Sequence, residues 1–109
     1  MHIKTRARDG VTILDLKGKI DDGDVALRQA VQAALGDGVS KFLLNLGAVM
    51  DLDLSGVSEL VVVYTMATNR GAKVKLENLP PGGDILSITQ LITVFEVFDD
   101  EDDAVASFA

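Results

Sequence analysis

The stretch Asp53-Leu54-Ser55-Gly56-Val57 sets a serine hydroxyl where a loop turns into a helix. An apolar, strand-like run precedes it, Lys41-Phe42-Leu43-Leu44-Asn45-Leu46, and Val57, Leu60, Val61, Tyr64 and Ala67 follow at helical spacing. Unpaired backbone N–H groups and the helix dipole make such a terminus hospitable to an oxygen anion, so a phosphate on Ser55 would be tolerated there. Two readings are open from the residues alone: Ser55 is a modifiable switch, or it is a plain helix cap, a role that contributes about 1 kcal/mol.

Other chemistry finds less support. Asp51-x-Asp53-x-Ser55-Gly56 copies the first half of an EF-hand calcium loop, but its twelfth position is Val62 rather than a bidentate acid. The half-motif is therefore read as accidental, and no metal is expected. His2 is the only histidine, expected in a mobile N-terminus, so no Ser-His-Asp arrangement can be centred in the fold. Gly82-Gly83 lacks the Gly-Lys-Ser/Thr of a phosphate loop, and no Gly-x-Gly-x-x-Gly occurs. The expectation is a protein without enzymatic activity and without a cofactor.

The elements that position Ser55 follow from period and punctuation. Ile3 to Arg8 alternates, with Lys4, Arg6 and Arg8 on one side, and reads as an edge strand whose outward charges discourage pairing. Asp9-Gly10 is a two-residue turn signal before a returning strand, Val11 to Leu16. Asp21-Asp22-Gly23-Asp24 offers caps to a helix carrying Leu27, Ala30, Val31, Ala34 and Leu35, which Gly36 and Gly38 end. Phe42 to Leu46 is apolar on both faces, as in the centre of a parallel sheet. The Ser55 helix closes at Asn69-Arg70-Gly71, and a short strand, Lys73 to Leu76, follows. After the loop Pro80-Pro81-Gly82-Gly83, Asp84 caps a short helix with Ile85, Ile88 and Leu91. Val94 to Phe98 is the expected last strand, and Asp99-Asp100-Glu101-Asp102-Asp103 opens a C-terminal helix holding Val105 and Phe108. The fold class is therefore a small α/β sandwich: a mixed, mostly parallel sheet begun by an antiparallel hairpin, with about four helices.

A chain of 109 residues with 48% hydrophobic content fits a single domain spanning 1–109. Zero cysteines exclude disulfides, thiol catalysis and thiolate metal sites. The formal net charge of -7 argues against nonspecific nucleic-acid binding, which runs on phosphate neutralisation by Lys and Arg. The charged N-terminus has no signal-peptide core, and no apolar run reaches the length of a membrane span, so a cytoplasmic location is expected. Basic residues gather near the N-terminus and acidic ones near the C-terminus, a patchiness suited to recognising another protein.

Taken end to end, the sequence resembles a STAS domain of the bacterial anti-sigma-factor antagonist family. The resemblance runs through Gly18-Lys19-Ile20, residues 24–31, Phe42 to Leu46, Asp53 to Leu60, Lys73 to Leu79, residues 88–101 and Ala104 to Phe108. It implies partner switching. The unmodified protein binds an anti-sigma factor that is also a serine kinase with a histidine-kinase-like ATPase fold, and so frees a sigma factor. Phosphorylation ends binding, and a PP2C-type phosphatase resets the cycle. Against the family's Asp-Ser-Ser/Thr-Gly-Leu motif, Asp53 matches the Asp, Ser55 the phosphoacceptor and Gly56 the Gly, which is expected to keep the backbone accessible to the kinase. Leu54 stands where the motif has its first Ser or Thr, and Ser58 stands where a Gly is usual. The implied contact surface is Asp53, Leu54, Ser55, Gly56, Val57, Ser58 and Glu59, joined by Asp21 and Asp22 from the neighbouring loop. An alternative within the same resemblance is an interaction module of a stressosome-like or lipid-transport assembly, without direct sigma control.

Overall fold

A computed structural model of the protein describes residues 1–20, 25–80 and 85–109. Asp9 and Gly10 both take left-handed conformations, with φ of 51° and 80°, so the two-residue turn has the twist a hairpin needs. It joins β1 (His2–Arg8) to β2 (Val11–Gly18), paired antiparallel from His2–Lys17 to Arg8–Val11. His2 is thus a strand residue rather than part of a mobile end. Then come α1 (Ala26–Gly36), β3 (Lys41–Val49), α2 (Leu54–Thr68), β4 (Lys73–Glu77), α3 (Ile85–Val94), β5 (Val97–Phe98) and α4 (Glu101–Ala106). The sheet order is β1-β2-β3-β4-β5, and every pairing after the hairpin is parallel. The expected architecture is the one observed.

Alternation along the strands sorts the core. Leu14, Leu16, Phe42, Leu44, Leu46, Val74 and Leu76 point to one face, where they pack with Leu27 and Val31 of α1, Val57, Leu60 and Val63 of α2, and Leu91 of α3. Each fully buried Leu or Phe contributes about 1.5–3 kcal/mol. On the other face Val11, Ile13 and Leu43 meet Ala104 and Val105 of α4 and Phe108 just after it.

Two expectations about the ends of the sheet need correction. Val94 does not open the last strand but closes α3. The Phe95 N–H still donates to the Leu91 carbonyl at 2.8 Å, and the Phe95 ring meets Tyr64 edge-on at 5.0 Å. Only Val97 and Phe98 remain to pair with Leu76 and Glu77. Arg6 and Arg8, expected to point outward from an edge, instead reach α4. Arg6 Nη1 donates to Glu101 at 2.9 Å, Arg8 Nη1 to the same carboxylate at 3.1 Å, and Arg8 also pairs with Asp102. At the far end of α4, Lys75 Nζ donates to the Ser107 carbonyl and hydroxyl at 3.0 and 2.9 Å and lies 4.6 Å from the Phe108 ring centre. Cations at its last turn and carboxylates in its first suit the helix dipole. The acidic run does open this helix, with Asp100 as its cap, Oδ1 accepting from the Asp102 N–H at 3.1 Å.

Candidate functional site

The site forms where β2 and β3 end and α2 begins. Gly18 and Met50 join the two strand ends through a 2.8 Å hydrogen bond from the Met50 N–H. Asp51 then takes a left-handed conformation, φ 51°, and Leu52 turns inward, almost fully buried. Asp53, not Ser55, is the cap of α2: its backbone is extended, and Oδ1 accepts from the Gly56 N–H at 3.0 Å. The plain capping role is therefore already filled, and Ser55 sits half-buried as the second residue of the helix. An oxygen anion on it would stand in the first turn, where the dipole is favourable.

Gly56 is buried rather than accessible. A Cβ built there would lie 2.9 Å from Leu52 Cδ1 and 3.2 Å from the Ile20 carbonyl oxygen. The glycine lets the segment after β2 lie directly against the first turn of α2, which is a packing role. Two other expected contact residues also turn inward. Val57 belongs to the main core. Glu59 is 1% exposed and its carboxylate is engaged by Arg28 of α1, Nε and Nη2 donating at 2.7 and 2.9 Å. Gly56, Val57 and Glu59 thus lie beneath the surface of the site and support it from within. Asp21 and Asp22, with Asp24 as a cap of α1 and Asp84 as a cap of α3, lie outside the described residues.

What faces outward is a mixed patch. Leu54 and Met50 are each 61% exposed, and Val25, just before α1, is 47% exposed. Three of the five exposed large apolar side chains among the described residues thus lie at this end of the molecule. Asp51 and Ser58 are exposed beside them, and Lys19 Nζ approaches Asp53 Oδ2 at 3.9 Å. Val25 was not singled out in the sequence, because a valine before a helix carries no signal of exposure. Where an EF-hand would need a continuous loop, helix begins at Leu54, and Val62 is in its middle. Among the described residues, no group of three or more His, Cys, Asp or Glu side chains could hold a metal ion, and no helix is long and apolar enough to cross a membrane.

Solved structures with the same architecture are numerous. A Thermotoga maritima protein, a candidate anti-sigma factor antagonist, superimposes with a TM-score of 0.79 at 20% identity, covering 96% of this chain and 92% of its own. An anti-sigma factor antagonist from Mycobacterium paratuberculosis gives 0.74 at 22% identity, with 97% and 92% covered. Phosphorylated SpoIIAA, a Bacillus cell fate determinant, gives 0.72 at 16% identity, with 99% and 100% covered. Among curated protein sequences, none matches the chain significantly. The family model for the STAS domain matches residues 2–104, nearly the whole chain. With the hairpin-led sheet and its covering helices, that match makes the chain a member of the STAS domain family.

Proposed function

We propose that the chain is a non-enzymatic, cytoplasmic anti-sigma factor antagonist that works by partner switching, with Ser55 as its phosphoacceptor. Unmodified, the patch of Leu54, Met50 and Val25 docks an anti-sigma factor that is also a serine kinase, and this frees the sigma factor. The observation that carries the reading is the position of Ser55 in the first turn of α2, directly beside the exposed Leu54 and the carboxylate of Asp53. A phosphate adds about -1.5 to -2 charges, and here it would do so in the middle of an apolar contact. A closely apposed partner would then meet repulsion and a large desolvation cost. Removal of the phosphate by a PP2C-type phosphatase would restore the docking face. The similarity to SpoIIAA, whose structure is known in unphosphorylated and phosphorylated forms, supports the same reading.

The test uses the candidate kinase-type anti-sigma factor, ATP and mass mapping, followed by calorimetry on variants. The expected result is phosphate on Ser55, full affinity for Ser55→Ala, and at least about a tenfold loss for Ser55→Asp, equivalent to roughly 1.4 kcal/mol. Equal affinity for the two variants overturns the switch. Capture of a transporter ATPase or a sensor scaffold in place of the kinase would move the protein to the alternative assembly.

A further inference from the structure

Glu77, the last residue of β4, is fully buried, and among the described residues no hydrogen-bond donor reaches either of its carboxyl oxygens. It lies on the sheet face covered by α4, in register with Asn45 of β3 and Phe98 of β5. The nearest cation is Arg6 of β1, whose Nη2 is 4.0 Å away. That guanidinium is already committed: it donates to Asp15 of β2 at 2.7 and 3.1 Å and to Glu101 of α4. One guanidinium therefore serves three carboxyl groups. The other cation on this face of β4, Lys75, is held by Ser107 at the opposite end of α4. A buried carboxylate with no donor is strongly disfavoured, whereas a protonated carboxyl can donate to Glu101 and needs no cation.

We propose that Glu77 is a proton-operated latch for the C-terminal helix. Protonated, it hydrogen-bonds Glu101 and holds the first turn of α4 on the sheet. Ionised, it repels Glu101 and Asp15 from inside the protein, and α4 opens to uncover Val11, Ile13 and Leu43. Six residues cannot stay helical without a surface to pack on, so leaving the sheet means local unfolding. The contacts of Arg8 with Glu101 and Asp102, and of Lys75 with Ser107, oppose the opening, so ionisation of Glu77 shifts the balance between closed and open rather than releasing the helix outright.

The chemistry fixes the direction of the response. Burial, followed by the hydrogen bond given to Glu101 and that carboxylate's charge, pushes Glu77 up to about 7 against the opposing pull of Arg6. A carboxyl that binds its proton more tightly when docked favours docking most below the ordinary carboxylate range. That advantage is lost as pH rises toward and through about 7. Glu101 behaves oppositely: Arg6 holds it down to about 2, so its contribution is present above about 4.5 and lost in strong acid. Docking is therefore tightest between the two ranges and loosens toward alkaline pH.

Hydrogen exchange of the amides at 102–108, corrected for intrinsic rates, together with the carboxyl-carbon NMR shift of Glu77, tests the latch on the full chain. In the wild type, protection should fall at least about tenfold between about pH 4.5 and 7 and level off above the Glu77 titration near neutrality. Glu77→Gln should remove that step. A carboxyl carbon that titrates in the ordinary range, near 4.5, overturns the proposal, as does a step that survives unchanged in Glu77→Gln. Should that variant fail to fold, a wild-type loss of protection that ends where Glu77 titrates supports the latch, and a loss that continues above that titration overturns it.

Discussion

Arg28 of α1 and Glu59 of α2 meet as a bidentate ion pair, 2.7 and 2.9 Å, in which the carboxylate is almost fully buried and the guanidinium is partly open to water. The pair fixes the two helices whose N-terminal ends carry Val25 and Leu54, and so sets the spacing of the exposed patch. The two halves are not equivalent. Truncating Arg28 leaves a carboxylate inside the protein without its cation, whereas neutralising Glu59 leaves a guanidinium that water can reach. Arg28→Ala should cost about 3 kcal/mol and Glu59→Gln about 1–2 kcal/mol in urea unfolding. Equal costs would mean that the carboxylate is not the trapped member of the pair.

Gly56 has no room for a methyl group. A Cβ there would press on Leu52 Cδ1 and on the Ile20 carbonyl, and a backbone carbonyl cannot swing aside as a side chain can. Gly56→Ala should therefore destabilise by about 1–3 kcal/mol, despite the higher helix propensity of alanine. Its NMR shift changes should centre on residues 18–20 and 50–57. A stabilised Gly56→Ala protein would show that the loop after β2 is free to move away.

Much of this architecture was legible because each long element carried one clean period: alternation in β1 and β2, helical spacing in α1 and α2, and an unbroken apolar run in β3. The Asp-Gly turn was readable for a similar reason, since few residue pairs tolerate two left-handed conformations in succession. What escaped was set by contacts distant in sequence. Lys4, Arg6 and Arg8 form one charged stripe in the sequence, yet only Lys4 is left exposed, because α4 returns from 93 to 95 residues away to meet the two arginines. Likewise Lys75 and Glu77 look like the solvent side of a strand until a six-residue helix covers them. At the site, position identified Ser55, but direction did not. Helical spacing puts Glu59 one turn after Ser55, while packing against α1 turns it inward.

A phosphate at Ser55 should act on the partner rather than on the fold. Asp53 already caps α2, so the Gly56 N–H keeps its acceptor when Ser55 in the same first turn is modified. Charge in the first turn is favoured by the helix dipole and opposed by Asp53, two effects of similar size. Ser55→Glu should consequently change the unfolding free energy by less than about 1 kcal/mol while it abolishes partner binding. Asp53→Ala should do the reverse in stability, costing about 1 kcal/mol through loss of the cap. Thermal unfolding of the two variants checks the pair, and a Ser55→Glu protein that melts well below the wild type would point to a conformational switch instead.

Acid stability reports on Arg6. The hydrogen bonds from its guanidinium hold Glu101 down to about 2 and keep Asp15 below the usual carboxylate range. Carboxyls lowered in this way contribute stability that is complete above their unfolded values, near 4.5 and 3.8, and that is lost as pH falls through the folded ones. The wild-type urea midpoint should therefore drop steeply between about pH 4.5 and pH 2. Arg6→Gln removes the shared cation, so Asp15, Glu77 and Glu101 are left to repel one another. This variant should be weaker than the wild type at neutral pH by about 2–4 kcal/mol, and it should lose less on acidification, because protonation now relieves the repulsion. Parallel pH profiles for the two proteins would show that the guanidinium is not what keeps these carboxyls ionised.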